Sequence, residues 1–172
     1  MNETLQTLIS RRSTKAYLDK PVPEELLDKV LEAGLYAPTG RNNQDVICVA
    51  VTDKATRDQL SKMNAAVMGA ENDPFYGAPC VIVVLAESTG TTWVEDGSLV
   101  LGNMLNAAYA LGIGGCWIHR AREMFACDEG KALLRKWGLP EHLEGIGNCI
   151  LGFAQGETMV KPRMPGRIIK VD

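Results

Sequence analysis

The sequence predicts one layered domain of helices and strands, an α/β-type packing, and three observations carry that expectation. Short apolar runs interleave with stretches of helical periodicity along all 172 residues, without a linker or an internal repeat. Residues 98–111 are apolar or small at almost every position, with Asn103 and Asn106 as the polar interruptions. A helix apolar nearly all round belongs in the middle of something larger. Directly after it, Ile113 to Ile118 has the composition of a buried strand broken by Gly114 and Gly115, where a flat ligand or another backbone can come close.

Bulk properties narrow the class. Hydrophobic content of 46% and charge of 23% are those of an ordinary globular domain large enough for a sizeable core. A net charge of −3 argues against a nucleic-acid partner. The longest apolar runs, such as Cys80–Ala86, are too short to span a bilayer, and the first residues carry no basic-then-apolar leader pattern. Five cysteines cannot all pair within one chain, no Cys-x-x-Cys occurs, and His119 and His142 are the only histidines. Reduced thiols in a cytoplasmic protein, without a metal site, are the expectation.

The elements follow in order. Leu5, Leu8 and Ile9 recur at helical spacing behind Asn2, a good N-cap. Pro23-Glu24-Glu25 opens a second helix, with acids at the positive end of its dipole, and Leu26, Leu27, Val30, Leu31 and Leu35 line one face. A polar loop, residues 38–45, precedes a strand at Val46–Val51. Asp53 caps a third helix carrying Leu60, Met63 and Val67. The second strand is Cys80–Ala86, a loop around Gly90 leads to the central helix, and Leu111-Gly112 ends it. Short helical pieces around Met124–Phe125 and Lys131–Trp137 precede a fourth strand, Asn148–Phe153. The tail 159–172 has two prolines, a basic excess and a stray strand pattern at residues 168–171, fit either to pad its own domain or to reach a partner.

Several clusters have a chemical and a plainer reading. Arg11-Arg12-Ser13-Thr14-Lys15 sets three cations and two hydroxyls within five residues, donors suited to a phosphate or carboxylate, or simply a solvated basic helix end. Lys161-Pro162-Arg163 is a second cationic pair, and the two clusters hold a phosphate dianion only if they converge. Asn42 and Gln44 offer amides that match a heterocycle edge or ordinary turn chemistry. Asn64, on an apolar helix face, bonds either a ligand or a local backbone group, and His119 by itself reads as structural. Gly112, Gly114 and Gly115 miss the dinucleotide spacing, and no P-loop, nucleophile elbow or Cys-His arrangement can be assembled.

Taken together, these residues resemble the short, single-domain members of the nitroreductase-like FMN-dependent oxidoreductases, over essentially the whole chain. Arg11-Arg12-Ser13-Thr14-Lys15 is similar to the family's N-terminal phosphate and flavin motif. Ala37-Pro38-Thr39-Gly40-Arg41-Asn42-Asn43-Gln44 is similar to its A-P-S-x-x-N-x-Q loop, with Thr39 for Ser. Asp73-Pro74-Phe75-Tyr76-Gly77-Ala78-Pro79 resembles the approach to a strand in short members, the Gly-Gly strand resembles the floor beneath the flavin, and Lys161-x-Arg163 resembles the C-terminal phosphate pair. Larger members carry P-x-E-G where this chain has Trp117-Ile118-His119-Arg120.

The resemblance implies an α+β nitroreductase-like fold, a central mixed or antiparallel sheet flanked by helices. Residues 1–172 would form one domain, with 159–172 an arm reaching the partner of an intertwined homodimer. It implies bound FMN, NADH or NADPH as donor, and a ping-pong transfer to a small-molecule acceptor such as a nitroaromatic or quinone, with no catalytic side chain. A flavin-binding, storage or regulatory protein with little turnover is the alternative on the same fold. By resemblance, Arg11, Arg12, Ser13, Lys15, Lys161 and Arg163 hold phosphate and flavin in one subunit. Pro38, Thr39, Gly40, Asn42 and Gln44 come from the other, Asn64 meets the flavin edge, and Cys116, Trp117, Ile118 and His119 lie along the ring.

Overall fold

A computed structural model describes residues 1–171; Asp172, the last residue of the tail, lies outside them. The order is α1 (Glu3–Ser10), α2 (Glu24–Leu35), a 3-10 turn at Gly40–Asn42, β1 (Val46–Val51), α3 (Lys54–Met68), β2 (Cys80–Ala86), α4 (Trp93–Ala110), β3 (Gly114–Ile118), α5 (Ala121–Ala126), α6 (Asp128–Lys136) and β4 (Glu144–Gly152). The caps work as their sequence predicts. Asn2 accepts from the Leu5 amide, Asp53 accepts from the Thr56 amide, and Gly112, at φ 74°, turns the chain out of α4.

The four strands form one sheet in the order β1-β2-β4-β3, and every neighbouring pair is antiparallel. The interleaving of helices and strands therefore does not produce the parallel sheet of an α/β layer; among the described residues the one parallel link is a single bridge from Ser13 to Gly115. β2 is buried along its whole length because helices cover both faces. α2 and α4 cover one, with Val30, Ile82, Met104 and Cys149 at the centre; α3, α5 and α6 cover the other, with Leu60, Phe75, Phe125 and Ile150.

Five expectations need correction. β4 starts at Glu144 rather than Asn148, because Gly145 and Gly147 sit in the strand instead of preceding it. A side chain at Gly145 would strike the Ala121 carbonyl, and one at Gly147 would come within 2.6 Å of the Trp117 indole nitrogen. α1 buries none of its residues: Leu5, Leu8 and Ile9 are about half exposed. Val67 also points outward. Helix α4 is buried on one side only, leaving Val94, Leu99, Gly102 and Tyr109 on an open face, and residues 168–171 form no strand.

Candidate functional site

Two cation clusters at opposite ends of the sequence meet. After α1 the chain runs beside β3, where the Thr14 amide donates to the Gly115 carbonyl at 3.0 Å, and then crosses to β4, where the Gln155 amide donates to the Ala16 carbonyl at 2.9 Å. The buried Tyr17 hydroxyl pins the crossing by donating to the Thr14 carbonyl at 2.8 Å. The strap so formed presents Arg12, Ser13 and Lys15 to a cavity of about 530 Å3 whose other wall carries Glu157, Lys161 and Arg163. None of the four cations has a carboxylate within ion-pairing distance among the described residues. Arg12 donates to the Ile9 and Arg11 carbonyls at 2.7 and 2.8 Å, and Lys15 sits 5.7 Å from the centre of the Tyr76 ring.

Arg11 does not line that cavity; its charge is felt at the Cys116 thiol. Burial pushes that thiol above its ordinary range, against the opposing pull of Ser13, Lys15 and Arg11. Cys48 and Cys80 are pushed up by burial to about 11 and about 12. All three thiols are therefore protonated at neutral pH, and none has the thiolate character of a nucleophile.

Beyond Gly115, β3 is the open edge of the sheet. Cys116 and Ile118 point into the core, while Trp117 is 50% exposed and lies against Gly147. His119 is also exposed, its ring 5.6 Å from the Trp117 ring. Asn64 is elsewhere: fully buried on α3, its amide donates to the His119 carbonyl at 2.8 Å and accepts from Arg120 Nε at 3.0 Å. Both ends of that amide face the protein, so it braces the turn after β3 instead of meeting the open edge. Asn148, equally buried, donates to the Ile118 carbonyl at 3.4 Å, and its side-chain oxygen finds no partner.

The 38–45 loop sits at the opposite end of α4. The Gly40 amide donates to the buried carboxylate of Asp96 at 2.9 Å, and Thr92 Oγ1 donates to the same group at 3.0 Å. Thr39 Oγ1 accepts from the Gln44 amide, and the Gln44 side chain donates to Asn42 Oδ1. Arg41, Asn42 and Gln44 all take left-handed backbone angles (φ 54°, 57° and 55°), and Pro38 is exposed. The cation cavity lies beside the other end of α4, where an adjoining recess shares Arg12, Thr14 and Glu157 and reaches Tyr109 and Gly112. With 18 residues from Trp93 to Ala110, α4 is about 27 Å long, and the two regions adjoin its opposite ends in one chain.

Reading the sequence missed Asp96, Glu157 and Arg120. An acid in the first turn of an otherwise apolar helix was the available signal for Asp96; Glu157 and Arg120 gave none.

Comparison with known proteins agrees with the geometry. The family model described as "Nitroreductase family" matches residues 8–153, and the chain belongs to that family. A protein of Archaeoglobus fulgidus named putative NADH dehydrogenase/NAD(P)H nitroreductase is 32% identical over 161 residues, covering 91% of this chain and 88% of its own length. The NADPH-flavin oxidoreductase of Vibrio harveyi is 29% identical over 181 residues, covering 98% of this chain and 73% of its own. The crystal structure of a nitroreductase with bound FMN from Bacteroides fragilis superimposes with a TM-score of 0.93 at 28% identity, covering all of both chains.

Proposed function

We propose that the protein is an FMN-dependent NAD(P)H oxidoreductase that works as a homodimer and passes reducing equivalents to an oxidised small molecule such as a nitroaromatic or a quinone. The observation that carries this reading is the convergence of Arg12, Ser13 and Lys15 with Lys161 and Arg163, about 150 positions later, on one cavity. A cluster of cations and a hydroxyl, none of the cations neutralised by a carboxylate, suits a phosphate dianion. The open edge of β3 supplies a flat, partly apolar border beside it for a ring system, with Trp117 and His119 at its far end. The residues present therefore fit FMN.

When bound, FMN supplies the redox chemistry, accepting a hydride from NADH or NADPH and returning the electrons to the acceptor. The chain's own part is to hold and orient. Lys161, Arg163 and Lys15 neutralise the phosphate, Ser13 donates to it, and Arg11 and Arg12 keep the strap positive. Backbone along Cys116–Ile118 borders the ring. The Cys116 thiol beside it, pushed up by burial, stays protonated and lacks the thiolate character of a nucleophile.

What one chain leaves open supports the dimer. The exposed side of α4 and the half-exposed Leu5, Leu8 and Ile9 of α1 form an apolar face next to a groove of about 700 Å3 that runs between the two helices. A second copy packed antiparallel along α4 brings its Pro38–Gln44 loop to the end of the helix beside the cavity, which the loop of the same chain does not reach. The apolar-basic arm from Met159 onward, almost wholly exposed here, then has a surface to cover.

The test is anaerobic titration of the purified protein with NADH and with NADPH, followed in the flavin absorption band, then reoxidation with a nitroaromatic or a quinone. Bleaching, reoxidation and parallel double-reciprocal plots are expected for a ping-pong cycle. A yellow protein that neither donor bleaches is a flavin carrier and contradicts the enzymatic reading. A colourless protein that takes up no FMN contradicts both.

A further inference from the structure

We propose that Arg120, braced by Asn64, is a specificity-determining cation at the far end of β3, selecting for negative charge on the planar redox ligand that lies along that edge. This rests on the flavin reading above and goes beyond the phosphate cluster. Arg120 is held against its local preferences. It has a left-handed backbone (φ 77°, ψ 9°) where glycine or asparagine is the usual choice, and it stands at the head of α5 without a capping bond. A non-glycine residue kept in that region marks a place where the surroundings over-determine the backbone.

Those surroundings are specific. A fully buried amide on α3, 56 positions away in sequence, is used up on this one turn: Asn64 donates to the carbonyl of His119 and accepts from Arg120 Nε. Fixing Nε leaves both Nη groups of a partly exposed guanidinium without a protein partner among the described residues. Arg57, Arg122 and Arg135 by contrast each reach a carboxylate at 2.6–2.9 Å. An arginine that is strained, braced and unpaired at the end of an open strand edge supplies two forked donors to an anion from outside the protein.

That negative charge has two possible sources with one chemistry: a carboxylate on the acceptor, or the charge that the FMN ring itself gains on reduction. Two measurements on the FMN-loaded protein separate them. The first is kcat/KM for 4-nitrobenzoate relative to its neutral methyl ester. If the acceptor carries the charge, Arg120→Gln lowers that ratio about tenfold. The second is the midpoint potential of bound FMN. If the ring carries it, Arg120→Gln lowers the potential by about 30 mV, the two-electron equivalent of a tenfold change.

Arg120→Gly controls for structure, since it relieves the left-handed strain. It is expected to show the same loss as Arg120→Gln although it removes the backbone strain that Arg120→Gln keeps, a result that a merely structural role does not give. The proposal is overturned if both variants keep the wild-type ratio and potential while retaining FMN. A wild-type protein that binds no FMN would instead overturn the flavin reading, and the two failures are told apart by colour.

Discussion

Two groups among the cations of this chain are treated differently. On the helical flanks, Lys29, Lys54, Arg57, Arg122 and Arg135 each meet an Asp or Glu at 2.5–2.9 Å. Around the strap and the edge of β3, Arg12 is turned onto backbone carbonyls, Lys15 onto an aromatic ring and Arg120 onto a neutral amide, while Lys161 and Arg163 have no carboxylate in reach among the described residues. The chain has 21 acids for 18 Lys and Arg, so the second group is not unpaired for want of partners. Glu157 even lines the same cavity without pairing to any of them. Exposed pairs of the first kind contribute little, about 0–1 kcal/mol. Positive charge gathered in one concavity and left unneutralised is what attracts and holds an anion.

Each half of that comparison can be broken. The largest effect expected is from removing residues 159–172, which takes away Lys161, Arg163 and the arm together. Size-exclusion chromatography should show monomer or aggregate with no FMN; a soluble, flavin-loaded dimer would contradict the assignment. Next, Lys161→Ala with Arg163→Ala should weaken FMN binding at least hundredfold in a fluorescence titration, at about 1.5 kcal/mol or more per charge-assisted bond.

Within the paired group, Arg57 is the exception because it is buried. It donates to the Ala78 carbonyl and to Asp73 together, so Arg57→Ala should cost about 3 kcal/mol in urea unfolding. The exposed Arg135→Ala should cost under about 1 kcal/mol and leave FMN affinity unchanged.

Asp73 sharpens the point through pH. Burial raises its pKa, but bonds from Arg57, Ser61 and the Gly77 and Phe75 amides outweigh that and hold it below the ordinary 3.8. A carboxyl lowered on folding stabilises above its unfolded pKa, and that contribution is lost as pH falls through the folded value. Unfolding free energy should therefore drop on acidification below about pH 4, and the drop should be smaller in Arg57→Ala. Equal acid limbs in the two proteins would contradict the role given to this pair.

Much of the fold was legible because its signals are local. Asn2 and Asp53 announce helix starts, Gly112 a helix end, and the apolar run of Cys80–Ala86 a strand. What escaped depends on contacts distant in sequence. Gly145 and Gly147 look like strand breakers but are required by Ala121 and Trp117 crossing above them. Antiparallel pairing of strands joined through helices is a property of the whole sheet, not of any segment. In the site, both cation clusters were legible by composition and resemblance, whereas Arg12 rather than Arg11 facing the cavity is decided by which side of the strap each leaves. Asn64 was visible as a polar residue on an apolar face, but its brace on Arg120 was not.

The central claim is that the converged cations hold a phosphate, and comparing FMN with riboflavin tests it most directly, because the two ligands differ only in that group. Titrated into flavin-free protein, FMN should bind at least a hundredfold more tightly than riboflavin, and Lys161→Ala with Arg163→Ala should abolish most of the difference. Equal affinity for the two flavins in the unaltered protein would contradict the account.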